Sequence, residues 1–154
     1  MTADSPTLAL WTAMGNRINS GPNPPSDLVP GWPRYYVGRV EPMPDGPNKG
    51  KLPPVGYYLF GMVPENTADL YNGQFGSTDL VRVHCWGKSA HAAERLYAWF
   101  KALFHYEPLT LDGHVITEGG FVTKSGPFGG PPGADGRPDS FQVEASYDVT
   151  TAQG

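Results

Sequence analysis

The sequence predicts an α+β fold: a mainly antiparallel sheet, an N-terminal helix and a long central helix packed against it, and large Gly/Pro-rich loops. Three observations carry that reading. Val81 to Trp86 and Phe141 to Thr150 alternate apolar and polar side chains with period two, as half-buried strands do. Ala93, Leu96, Tyr97, Phe100, Leu103 and Phe104 recur at helical spacing and make one apolar stripe. Short turns between two-faced strands suit antiparallel neighbours, with one side of the sheet open to solvent or a partner.

The elements follow in order. Ser5 caps the first helix, Pro6 suits its first position, and Thr7 to Ile18 continues it, with Leu10, Trp11, Met14 and Ile18 as its apolar face. Gly15 weakens this helix and Asn19 to Gly21 end it. Pro22 to Pro33 is too rich in breakers for helix or central strand and reads as an extended, partly ordered arm. Tyr35 to Glu41 and Val55 to Val63 read as strands, separated by a breaker-rich loop, Pro42 to Pro54. Pro64 to Thr78 reads as polar loop with one helical turn at Thr67 to Tyr71. The strand from Asp79 then runs through a Gly-Lys turn to Ser89, a good N-cap for a helix ending at Phe104. Leu109 to Leu111 and His114 to Thr123 read as strand pieces split by the turn dipeptide Asp112-Gly113. Lys124 to Ser140 reads as a long loop, mobile until it meets a partner, before the last strand. Residues 1–154 suit one domain with one core.

Composition narrows the function. The chain carries 20 glycines and 17 prolines, yet also 7 Phe, 4 Trp and 8 Tyr, so a compact core carrying large loops is expected. The formal net charge of −4 argues against a duplex-DNA binder, which needs a basic patch. No segment has the length and hydrophobicity of a membrane span, and the first residues lack the pattern of a secretory signal. The lone Cys85 excludes an intrachain disulfide, in keeping with a reducing compartment.

No catalytic signature emerges. His84 and Cys85 are strand neighbours and point to opposite faces, so they make no nucleophile–base pair; Cys85 reads as core. His84, His91, His105 and His114 lack HExxH, CxxC or close His spacing, so neither a metal site nor a cofactor is expected. Glu94, Glu107, Asp112 and Glu118 form no pair that would tune an acid against a base. The glycine-rich stretch Ser125 to Gly136 lacks the Gly-Lys-Ser/Thr ending of a phosphate loop, and a strand follows it. The aromatic run Trp32, Tyr35, Tyr36, Tyr57, Tyr58 and Phe60 reads as core and interface; basic residues are too sparse there for single-stranded nucleic acid. Interface residues are the better candidates. Arg82, His84 and Trp86 share one strand face, and Phe128 and Arg137 are anchors in a loop that can order on contact.

The pattern VRVHCWGKSAHAAERLYAWFKALF, the strand pair near LDGHVI and the terminal SFQVEASYDVTT resemble the tail terminator (tail completion) proteins of long, non-contractile-tailed bacteriophages, the lambda-type terminators. Val81, Arg82, Val83, Trp86, Gly87, Ser89, Ala93, Leu96, Leu103, Tyr147 and Val149 carry the resemblance. It spans about Thr7 to Thr151 and is distinctive in the second half; Pro22 to Pro33, Pro42 to Pro54 and Lys124 to Ser140 are longer than the family's compact loops. The resemblance implies a structural protein and no enzyme. It would be a hexameric ring that caps the tail tube, stops its growth and joins it to the head-completion protein, while DNA passes through without specific binding. It implies residence in the virion neck, after assembly in the host cytoplasm. A head-closure or tube-forming protein of the same assembly, or a small enzyme using His84 or a carboxylate pair, are the alternatives.

Overall fold

A computed structural model describes residues 6–61, 69–71, 74–133 and 135–153. The described chain is α+β. Helix α1 is Pro6–Ser20 and α2 is Ala90–Phe104; the strands are β1 Tyr35–Val37, β2 Tyr57–Phe60, β3 Asp69–Tyr71, β4 Gln74–Gly87, β5 His114–Gly129 and β6 Phe141–Gln153. The sheet order is β1-β2-β4-β6-β5, with β3 pairing β4 outside that path. Every pair is antiparallel except β1 with β2, whose connection crosses from one end of the sheet to the other.

The period-two reading of the long strands holds. Register sets Val81 opposite Tyr147, Val83 opposite Ala145 and Cys85 opposite Val143, and all six are buried on the face that α2 covers. Leu96, Phe100 and Phe104 of α2 meet them with no exposed surface, whereas Leu103 and Phe141, expected in the same core, are only half-buried at its margin. Phe100, Phe104 and Tyr147 form an aromatic chain with ring centroids 4.5 and 5.6 Å apart. Tyr58, fully buried, donates its hydroxyl to the Leu96 carbonyl at 2.5 Å and so ties β2 to the helix. Ser89 caps α2 as expected: its backbone is extended and its hydroxyl oxygen accepts from Ala92 N–H at 3.1 Å.

Helix α1 opens at Pro6 and runs two residues past Ile18; its expected cap, Ser5, lies outside the described residues. Gly15, which weakens the helix intrinsically, has a packing reason: a Cβ there would collide with the Tyr35 ring, itself stacked on Phe60 at 5.1 Å. The arm at Pro22 to Pro33 is pinned on α2 more firmly than its composition suggests. Trp99 Nε1 donates to the Pro22 carbonyl at 3.0 Å, the Arg95 guanidinium forks onto both Asp27 oxygens at 2.9 Å, and Leu28 is buried.

Several expected boundaries are corrected. Strand β1 ends at Val37 rather than Glu41, and β2 starts at Tyr57 rather than Val55; the far end of that expected strand, 62–63, lies outside the described residues. Over its described residues the helical turn expected at Thr67 to Tyr71 is strand β3, and Gln74 to Thr78, read as loop, is the start of β4 paired with β6. Leu109 to Leu111 is not a strand; Leu111 makes one bridge to His114 across the Asp112-Gly113 turn. The largest correction is Lys124 to Ser140. Strand β5 continues through Gly129 against β6, the Gly130 N–H donates to the Ser140 carbonyl at 2.8 Å, Pro132 bridges Pro138, and Gly133 N–H donates to the Arg137 carbonyl at 2.7 Å. This segment is therefore the distal part of a long hairpin.

The hairpin absorbs its glycines and prolines by bulging. Between Ser125, opposite Glu144, and Phe128, opposite Gln142, β5 carries one extra residue at Gly126-Pro127. Gly126 has φ +102, and a Cβ there would press on the Gln142 carbonyl and the Phe128 ring. Pro127 is tolerated because β5 is the edge strand and lies at a bulge.

Candidate assembly interface

With α2 on the inner face, the outward side chains of the sheet are left in cross-strand rows. Tyr57, Trp86, Gln142 and Phe128 lie opposite one another on β2, β4, β6 and β5. The next row is Leu59, His84, Glu144 and Ser125, and the third is Arg82, Ser146 and Thr123. None of these residues is buried, although Tyr58, Val83, Cys85, Val143 and Ala145, which alternate with them on β2, β4 and β6, are. Phe128 is 48 % exposed, a large apolar side chain at the surface.

Polar contacts hold the centre of this face in place. His84 Nδ1 lies 2.7 Å from Gln142 Oε1, a side-chain hydrogen bond that ties β4 to β6 on this face. Arg82 Nε lies 3.7 Å from Glu144 Oε1, both partly solvated, so the pair orients the guanidinium more than it stabilises the fold. Gly130 sits so close to the Trp86 ring that a Cβ would come within 3.1 Å of it. The indole is thus braced from one side and stays partly exposed. At the row's other end, Tyr36 and Tyr57 meet edge to face at 5.5 Å.

Of the sequence-derived candidates, Arg82, His84, Trp86 and Phe128 come together on one surface. Arg137 does not join them: it sits beyond the row near the hairpin tip, where its backbone N–H donates to Asp135 Oδ1 at 2.9 Å. Tyr57, Leu59, Gln142 and Glu144 complete the surface. The polar alternation of the last strand signalled the last two; nothing local signalled that Phe128 would lie in register with Trp86.

The rejected chemistry has its own geometry. Cys85 faces the core, fully buried, and burial pushes its thiol well above the usual range. His105 Nδ1 accepts from Val122 N–H at 2.9 Å, a structural bond joining the end of α2 to β5. Among the described residues no three His, Cys, Asp or Glu side chains converge as a metal site, and no helix is long and apolar enough to cross a membrane. Comparison with protein-family models, with curated proteins and with solved structures finds no match.

Proposed function

We propose that this chain is an assembly protein that works as a ring capping a phage tail tube, halting its elongation and presenting a docking face to the head-completion protein. The observation that carries the reading is the sheet face, without a covering helix among the described residues, on which Trp86, Phe128 and Arg82 are gathered. Aromatic side chains and arginine supply most anchors of protein interfaces, and here a polar network and a close glycine brace them before any partner arrives. The resemblance around Val81 to Leu103 supplies the kind of assembly. The formal charge of −4 per copy suits a conduit that does not hold phosphate.

The rows cover about 14 by 14 Å from ordinary strand spacings, roughly 200 Å², against about 800 Å² per partner in a stable interface. A ring built on this face therefore needs contacts elsewhere too.

Mass measurement of the purified chain with negative-stain imaging tests the reading. Six-fold rings, and attachment to one end only of purified tail tubes, are expected. Open-ended polymerisation would assign a tube protein instead, and a monomer at high concentration with and without tubes would overturn the ring.

A further inference from the structure

Strand β5 ends the sheet order, so among the described residues its outer edge meets no further strand. Backbone groups on such an edge stand open unless something else meets them. Two of them are met by the chain that leaves α2. The Gly120 carbonyl accepts from Tyr106 N–H at 2.7 Å, and Val122 N–H donates to His105 Nδ1 at 2.9 Å. His105 is the C-cap of α2, its own N–H bonded to the Lys101 carbonyl at 2.9 Å, so the helix end delivers its ring to β5. The link that follows, Tyr106–Leu111, is also one wall of a cavity of about 580 Å³ beside the start of β5.

The two edge bonds differ in kind. A carbonyl accepts at any pH, whereas an imidazole nitrogen accepts only while it carries no proton. The donor here is a backbone N–H, which can only donate, so Nδ1 is the bare nitrogen of the ring. Acid that protonates Nδ1 sets one N–H against another and the bond is lost. The next residue is poised for release. Tyr106 takes φ +57, a left-handed conformation that a bulky side chain keeps only where its surroundings over-determine it. The two edge bonds do so, together with the His105 ring packed on the Tyr106 ring at 4.3 Å.

The charged and titratable groups on the elements around the imidazole are Lys101 of α2, Glu107 of the link, Arg17 of α1, Lys124 of β5, and Tyr147 and Asp148 of β6. Arg17 is engaged with the carbonyls of Leu103, Glu107 and Pro108 at 3.0, 3.3 and 2.6 Å, and Lys124 lies 2.8 Å from Glu94. Among the described residues no carboxylate pairs with His105, so a charged ring has no fixed counter-ion to keep it in place.

We propose that His105 is a pH-sensitive latch on the free edge of the sheet. Neutral, it pins the end of α2 and the start of the link to β5; protonated at Nδ1, it lets Val122 N–H go and loosens that wall of the cavity. The Arg17 bonds and the bond from Tyr106 to Gly120 do not depend on the imidazole, so the opening is local and the fold is kept. The latch stands independently of the ring.

Nuclear magnetic resonance of the intact chain tests it at about pH 7.5 and about pH 5, on either side of the ordinary histidine range. The imidazole nitrogen shifts should show Nδ1 unprotonated at the higher pH and a charged ring at the lower. Corrected for intrinsic exchange, the protection of the Val122 amide should fall by about five- to tenfold over that interval, as one lost hydrogen bond requires. The Tyr58 amide, bonded to the Arg34 carbonyl at 2.9 Å, should not change. His105→Asn puts an oxygen where Nδ1 stands; it should keep the protection and lose the pH dependence. His105→Ala should leave the Val122 amide unprotected at both pH values. A proton on Nδ1 at the higher pH, a ring still uncharged at the lower, or protection that stays constant while the ring charges would each overturn the latch, and the wild-type chain alone decides all three. A His105→Asn protein that still responds to pH would move the switch to another group.

Discussion

Replacing Gly87 by alanine should lower stability by about 2–3 kcal/mol, and the reason is steric. Gly87 ends β4 where the chain turns into α2. A Cβ there would sit 2.6 Å from Ala93 N, 2.8 Å from Ala92 C and 2.9 Å from Ala92 Cβ. Ordinary contacts run at about 3.5–4.0 Å, so a gap of roughly 1 Å must open between strand and helix. The obstructing atoms are mostly helix backbone, so no rotamer change relieves the clash. The helix is in turn fixed by its Ser89 cap and by the fully buried Ala93 and Leu96, so displacement loosens the inner face of the sheet. Against a total of about 5–15 kcal/mol for a domain, a loss of this size is large. At about 2–4 °C per kcal/mol for this chain length, the melting temperature should fall by roughly 5–10 °C. Urea unfolding gives the cleaner number: the midpoint should drop while the slope stays constant. Gly31→Ala is the control, since Gly31 has φ +83 and nothing within 4 Å of an added Cβ. It should cost about 1 kcal/mol from backbone strain alone. A loss below about 0.5 kcal/mol at Gly87 would refute the close-approach argument.

Three further outcomes are expected. Trp86→Ala should weaken self-association at least thirtyfold, about 2 kcal/mol, while leaving the urea midpoint nearly unchanged; the assay is sedentation-equilibrium mass against concentration, and unaltered association would remove the sheet face from the interface. Stability should fall in alkali. Burial pushes the Tyr147 hydroxyl from 10.0 up to about 12 and raises that of Tyr58 well above its ordinary value. The unfolded chain therefore loses these protons first: stability is intact below pH 10 and declines as pH rises from 10 towards 12. Tyr147 alone contributes on the order of 2–3 kcal/mol, so urea midpoints at pH 9 and pH 11.5 should differ and Tyr147→Phe should narrow the difference. Cys85 should resist thiol reagents at pH 8 for as long as the chain is folded and react fully in denaturant, because it is buried and its thiol is held protonated. Rapid labelling of the native protein would place Cys85 outside the core.

The inner face of the fold was legible in the sequence. Val81, Val83, Cys85, Val143, Tyr147 and Val149 announce themselves by period two, and Leu96, Phe100 and Phe104 by period 3.6, because burial acts on each residue according to the direction its own backbone imposes. The Ser89 cap was legible for the same local reason. The outer face was half legible: alternation put Arg82, His84 and Trp86 together, and the lone polar face of β6 suggested an open surface. The tertiary structure decided the rest. Gly126-Pro127 carries every local mark of a loop, yet at an edge strand a bulge accepts the proline's missing N–H and the glycine's positive φ, and β6 supplies hydrogen bonds from across the sheet. That bulge also sets Phe128 opposite Gln142 and so in line with Trp86, an alignment of residues some forty positions apart. The Pro22 to Pro33 arm is neither helix nor strand, as expected, but its anchoring was hidden because what orders it, Arg95 and Trp99, belongs to another element. The cavity walled by Tyr106 to Leu111, Val115, Ile116 and Tyr147 likewise draws on the link after α2, the start of β5 and β6, with Arg17 of α1 bonded to that link. Periodicity reports which way a side chain points; it does not report what the rest of the chain brings to meet it.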